Sequence, residues 1–421
     1  MLECGSCYTL CPSRLCGFRF MHIEHLSLTN FRNYARLELS LPHEKPIVLH
    51  GANAQGKTSL LEALYYLATS KSPYTTSDRQ LIHWRTESDP LPFARLSADV
   101  TTRDRPLTRL EIVLTLENTA QAVQRFKKVI KVNGVAKRVM DVVGLINVVM
   151  FLPQDLTLIE GGPNDRRRFI DDTLSQVDVV YLTALDQYEK ILPQRNALLR
   201  RIADDKATTD ELNFWDEQLA DAGSIIIANR QQFLRELEVG AQQIHLELTG
   251  KRETLTLQYR PSFLPTAAGD GQLSFDTFGL DLHREIDAAS IKPQFVEQLE
   301  QERSTSIERG VTLSGPHRDE LRLLINSRDV GLYGSRGQAR TAVMALKLAE
   351  LAWMRERIGE WPILLLDEVV AELDKDRRAY LLEHIDSATQ TLMTTTELDI
   401  FTPSFLNRAT VWHVRDGAID T

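Results

Sequence analysis

Residues Gly51-Ala52-Asn53-Ala54-Gln55-Gly56-Lys57-Thr58 hold the densest chemistry in the chain. Their pattern, G-x-x-x-x-G-K-[ST], is that of a phosphate-binding P-loop. The glycines let the backbone curl until several N–H groups converge on an anion. A helix starting at Lys57 adds partial positive charge at its N-terminus. Lys57 then offers a cation to the β- and γ-phosphates of a nucleotide, as contact and as catalytic group, and the Thr58 hydroxyl offers a ligand to Mg²⁺.

A second constellation is Asp367-Glu368, at the end of the apolar run Ile363-Leu364-Leu365-Leu366. The C-terminal ends of strands form the ligand-binding rim of an α/β sheet. Asp367 is expected to hold Mg²⁺, and Glu368 to orient and polarise an attacking water. Alone, such a pair also fits a solvated strand end; the P-loop favours the catalytic reading. A third is Ser335-Arg336-Gly337-Gln338, ahead of a helix rich in Ala and Leu. It resembles the S-G-G-Q core of the ABC ATPase signature, in which Ser335, Gly337, Gln338 and a helix N-terminus make a second phosphate-binding device. It lies about 29 residues before Asp367, and Ala371-Glu372-Leu373-Asp374 follows as a D-loop-like segment.

The elements around these residues follow from hydrophobic period. Ile23, Leu26 and Leu28, a turn at Asn30-Phe31-Arg32-Asn33-Tyr34, then Leu37, Leu39 and Leu41 read as strands. Ile47-Val48-Leu49 is a short buried strand into the P-loop, and Leu60, Leu61, Leu64 and Leu67 place a helix over Lys57 to about Thr69. Residues 93–133 alternate like antiparallel strands, with a hairpin turn at Asn133-Gly134. From Arg166 to about Thr249 the period is helical, with one amphipathic face over 210–249. Residues 261–280 read as loop, and α/β character returns at Val311.

Composition sets outer limits. The chain has 421 residues, 43% of them apolar, enough for one large or two medium domains. Lys and Arg number 49 against 58 Asp and Glu, a formal charge of −9, so any nucleic-acid site must be a local basic patch. No stretch approaches the roughly 18 apolar residues of a membrane span, and the expected location is cytoplasmic. All four cysteines, Cys4, Cys7, Cys11 and Cys16, precede Met21. Their spacing could hold a metal, but residues 1–20 read rather as a loose tail or an upstream misreading, with Met21 as the start. Pro12 and polar residues argue against a signal peptide.

From Met21 onward the chain resembles the RecF family of bacterial recombination mediators. The likeness rests on Leu28–Tyr34, the P-loop, Phe151-Leu152-Pro153-Gln154-Asp155-Leu156, Arg166–Asp171, Ser314-Gly315-Pro316-His317-Arg318-Asp319 and Gly334–Gln338. It implies an α/β fold: an ABC-type P-loop ATPase head, from 21–149 and 309–421, with an inserted, mainly helical arm over 150–308. It implies a slow, DNA-stimulated ATPase with ATP and Mg²⁺, in which ATP joins the P-loop of one copy to the signature of another in a homodimer. It further implies action on DNA at single-strand gaps and stalled forks, with RecR and RecO, in loading RecA and supporting the SOS response. There are departures. Gln154 and Glu368 stand where relatives often carry Glu and a second Asp, and Ala371 replaces a common Ser. Thr394-Thr395-Thr396-Glu397 occupies the place of the transporter switch His, with Thr395 or Thr396 as candidates for the γ-phosphate.

Other residues divide between two readings. Arg166, Arg167 and Arg168 fit DNA phosphates or ion pairs with Asp165, Asp171 and Asp172; steps of about 100° keep all three off one surface. Lys127, Lys128 and Lys131 fit a solvated strand face better than a DNA patch. His317 fits a nucleotide contact or a packed core position, and Arg32 and Asn33 fit the nucleotide pocket. Three rivals stand beside the main reading. A transporter ATP subunit conflicts with the long insertion and the missing switch His. A short chromosome-structuring ATPase of the SMC class conflicts with the arm's length. A nuclease would need a further acidic domain.

Overall fold

The computed structural model describes residues 21–86, 89–118, 124–263, 286–385 and 390–420. The four cysteines and most of the loop expected over 261–280 lie outside the described residues.

Fifteen strands are numbered in chain order: β1 His22–Phe31, β2 Tyr34–Ser40, β3 Ile47–His50, β4 Phe93–Thr101, β5 Thr108–Asn118, β6 Gln124–Val132, β7 Val135–Lys137, β8 Val148–Phe151, β9 Leu255–Arg260, β10 Glu320–Ile325, β11 Arg328–Asp329, β12 Ile363–Leu366, β13 Thr391–Thr395, β14 Thr410–Arg415 and β15 Ala418–Asp420. The central sheet has the order β15-β14-β3-β13-β12-β8. Its neighbours are parallel except for the β14–β15 pair. Strands covered on both faces read as continuous apolar runs, and β8 and β12 are buried at every position. A second, antiparallel sheet has the order β2-β1-β4-β5-β6-β7. One face of it is apolar and turned inward: Leu26, Leu28, Leu96, Ala98, Ile112 and Leu114 are all buried.

The helix Lys57–Thr69 is packed between these two sheets, in one apolar cluster with both. Helices that are apolar on most sides occupy such positions. Nine of its 13 residues are buried. The helix start at Gly56 and Lys57 is therefore buried between layers, while Ala52, Asn53 and Ala54 of the loop stay exposed.

The remaining mass is largely helical: Pro163–Val177, Val179–Ala203, Leu212–Leu248 and Ala288–Gln301. The amphipathic face over 210–249 is observed, with Leu212, Leu219, Ala222, Ile226, Phe233, Leu237 and Ala241 buried. It packs on the helix Arg336–Ile358: the Phe233 and Trp353 rings meet edge to face at 4.6 Å, and Trp353 Nε1 donates to Glu236 at 2.7 Å. β8 spans the limit drawn at 149/150 and belongs to the central sheet. β9, within 150–308, pairs with β10, within 309–421. Those limits come from the resemblance and from where the chain turns helical, whereas strand pairing is set by contacts distant in sequence.

Candidate nucleotide site

The P-loop connects β3 to the helix Lys57–Thr69, and its shape depends on glycine at two points. Gly56 has φ 116°, and a Cβ there would lie 2.5 Å from Asn33 Nδ2. A Cβ on Gly51 would collide with the carbonyl oxygen of Val414. The loop is held from two sides. Asn33 Nδ2 donates to the Gln55 carbonyl at 3.1 Å, and the Tyr34 hydroxyl to that of Gly56 at 2.9 Å. Opposite, Gly417 N donates to the Gln55 carbonyl at 3.0 Å and Asp416 N to Gln55 Oε1 at 2.8 Å.

Lys57 is only 4% exposed. Its ammonium donates to the carbonyls of Gly51 at 2.7 Å and Ala52 at 3.0 Å, and lies 3.2 Å from Glu368 Oε1. Thr58 Oγ1 donates to Asp367 Oδ1 at 2.9 Å, across 309 residues of chain. Parallel pairing of β3, β13 and β12 brings these groups to one rim. Asp367 also accepts from Thr394 Oγ1 at 2.8 Å and from Tyr74 OH at 2.6 Å. Burial and the Asp367 carboxylate push the Tyr74 phenol well above its ordinary range, so it remains a donor. Glu368 adopts a left-handed φ of 55°, and its N–H is tied to Thr394 Oγ1 at 2.8 Å. The Thr58 hydroxyl and the Asp367 carboxylate are hard oxygen donors side by side, a donor set that fits Mg²⁺. A cavity of about 420 Å³ opens over the loop, lined by Arg32, Asn33, residues 53–59, Gln80, Ile82, Trp84 and Glu368. A larger cleft of about 750 Å³ lies elsewhere, beside Arg168 and Arg230. Those guanidinium groups are paired with Asp172 and Asp171, so its size marks no comparable chemistry.

Ser335, Gly337 and Gln338 do not line the P-loop cavity. Ser335 and Gln338 close a capping box on the helix Arg336–Ile358: Ser335 N donates to Gln338 Oε1 at 2.9 Å and Gln338 N to Ser335 Oγ at 3.2 Å. Residues 331–337 are exposed around that helix start. The D-loop-like segment touches the same helix through Arg340 and Glu372, 3.6 Å apart.

A family model described as the RecF/RecN/SMC N terminal domain matches residues 22–417. The DNA replication and repair protein RecF of Chloroflexus aurantiacus is 40% identical over 410 residues, covering 95% of this chain and 99% of its own. That of Herpetosiphon aurantiacus is 41% identical over 408 residues, with the same coverage. The chain belongs to the RecF family. A solved structure of the recombination mediator protein RecF with ATP, in the RecFOR pathway, superposes with a TM-score of 0.80 at 28% identity, covering 96% of this chain and 98% of that one. Its ATPrS counterpart gives 0.79 at 30% identity, covering 95% of this chain and 98% of that one.

The other RecF-like segments have mostly structural partners. Arg166 forms a bidentate pair with Glu320 at 2.8 and 3.0 Å, and Arg167 donates to the Asp319 carbonyl and to Asn164. Only Arg168 meets an expected acid, Asp172 at 3.4 Å. Asp319 is 1% exposed and accepts from Arg230, Tyr259 and Ser262. The His317 ring is packed between the Tyr188 hydroxyl, 2.7 Å away, and the Thr312 carbonyl, and burial pushes it down to about 4, keeping it neutral. Lys127 and Lys131 are partly exposed and face Glu117 and Glu111. Lys128 departs from the solvated reading: it turns inward to Asp78 and lies 4.8 Å from the centre of the Tyr66 ring. Thr395 is fully buried with its hydroxyl bonded to the Glu397 carbonyl, which removes it as a γ-phosphate contact. Gln154 is exposed and lies outside the P-loop cavity. Arg32 and Asn33 do line it, and Arg32 also grips Glu62 with two bonds of 2.7 Å.

Sequence reasoning passed over Glu62 and Tyr74, and gave Tyr34 and Thr394 no role of their own although both lie in segments it singled out. Glu62 had a signal, as a lone acid in an apolar helix; the Tyr74 hydroxyl had none.

Proposed function

We propose that this chain is an ATP-hydrolysing DNA-repair protein whose two copies close on DNA around shared ATP. The observation that carries the reading is the meeting of Lys57 and Thr58 with Glu368 at one cavity, with the buried Asp367 bonded to Thr58 behind it. Lys57 and the loop N–H groups bind the phosphates of ATP. Thr58 and Asp367 would hold Mg²⁺, which, when bound, offsets phosphate charge. Glu368, fixed through its own N–H and its ion pair to Lys57, orients and polarises water.

Ser335, Gly337 and Gln338 lie away from their own cavity on an exposed helix start. That placement favours service to the γ-phosphate of a neighbouring copy, so ATP joins the dimer and hydrolysis releases it. The proposal extends to recombinational repair at single-strand gaps and stalled forks, with RecR, RecO and RecA as partners, support of the SOS response, and DNA-stimulated turnover, in line with the RecF resemblance. The alternatives, an ATP subunit of a membrane transporter or a short SMC-like chromosome ATPase, lack the support that the match to RecF over 95% of the chain gives the main reading. Among the described residues no helix is long and apolar enough to cross a membrane, and the longest has 37 residues.

Gel shifts on gapped, duplex and single-stranded DNA, with and without ATP, test this reading. ATP is expected to tighten binding, most strongly on gapped DNA. Affinity should fall by roughly 0.9 log units per log unit of salt for each duplex phosphate neutralised. Binding indifferent to both ATP and DNA form would contradict it.

A further inference from the structure

Trp84 is 65% exposed, although tryptophan is largely buried on average. It lines the same cavity as the P-loop. At about 420 Å³, that cavity falls within the usual range for small-molecule sites, about 300–1,000 Å³.

The turn that holds the P-loop also holds Trp84. Arg32 N donates to the Leu81 carbonyl and His83 N to that of Asn30, both at 2.8 Å, and Phe31 bridges to Ile82. From the same turn, Asn33 and Tyr34 bond the carbonyls of Gln55 and Gly56. One short segment thus sets the distance between phosphate cradle and indole.

The wall changes character between them. The loop end presents Lys57 and Thr58; the other end presents Ile82, Trp84 and the Gln80 side chain, whose Oε1 accepts from Thr75. The Arg85 guanidinium lies 5.1 Å from the indole centroid, over one face. A phosphate cradle with its lysine, joined to an exposed indole with Ile82 in the same wall, suits a triphosphate joined to an aromatic base.

We propose that Trp84 is the nucleobase platform of this site, its indole stacking on the purine of the nucleotide whose phosphates the P-loop holds. This rests on the P-loop cavity being the ATP site. Base–aromatic stacking predicts that Trp84→Ala weakens ATP binding roughly 5- to 150-fold. Inorganic tripolyphosphate, which has no base, should bind this variant as it binds the unaltered chain, and Trp84→Phe should stay within a few-fold for both ligands.

Calorimetry with ATP and with tripolyphosphate, on the full chain and on Trp84→Ala, Trp84→Phe and Lys57→Ala, separates the outcomes. Selective loss of ATP in Trp84→Ala supports the platform. Unchanged ATP affinity in Trp84→Ala, with loss in Lys57→Ala, overturns it and leaves the P-loop reading standing. Equal loss of both ligands in Trp84→Ala makes Trp84 a support of the wall and also overturns it. Normal ATP binding by Lys57→Ala overturns the nucleotide site itself, and the platform with it.

Discussion

Lys57→Ala is expected to remove most ATP binding. The ammonium is buried and already aimed by the carbonyls of Gly51 and Ala52, so little ordering is left for the ligand to impose. Truncating one partner of a desolvated, hydrogen-bonded charge pair costs about 2–5 kcal/mol. That corresponds to roughly 30-fold to several thousand-fold in Kd. The same change strips Glu368 and two loop carbonyls of their donor, which loosens the loop and adds to the loss. Calorimetry reads the affinity, and a thermal melt checks that the buried helix start still folds. Wild-type affinity in a folded variant would refute the role of Lys57.

Glu368→Gln should separate binding from turnover. The amide keeps the size of the side chain and one oxygen able to accept from Lys57. It cannot take up a proton or polarise water as a carboxylate does. General-base contributions are typically 10²–10⁴-fold, so single-turnover hydrolysis should slow by about that factor. ATP affinity should hold within a few-fold, because the Lys57 contacts to Gly51 and Ala52 remain. Asp367 is a poor substitute base, with both carboxylate oxygens committed to Thr58, Thr394 and Tyr74. Hydrolysis at the wild-type rate would show that another group activates water.

The site was legible where its signals are local. The strand, loop and helix around Lys57 fall within 23 consecutive residues, from Ile47 to Thr69, and the P-loop carries its own pattern. Asp367 and Glu368 were legible because an apolar run stops there. The pairing of β12 with β8 and of β3 with β13 joins segments hundreds of residues apart, and no local period encodes it. The support of Asp367 by Tyr74 and Thr394 follows from that pairing and stayed hidden with it. Lys128 was within reach of the sequence. On a strand of period two, Lys127 and Lys131 share one face, and Lys128 falls on the other with Phe126 and Ile130.

The central claim is that each active site is built from two copies, and sedimentation with and without ATP tests it most directly. Glu368→Gln should run as a monomer alone and as a long-lived dimer with ATP. Ser335→Arg should bind ATP normally yet stay monomeric, because its bulk occupies the exposed helix start offered to the neighbour's γ-phosphate. ATP-driven dimers of Ser335→Arg, or Glu368→Gln remaining monomeric with ATP bound, would contradict the shared site.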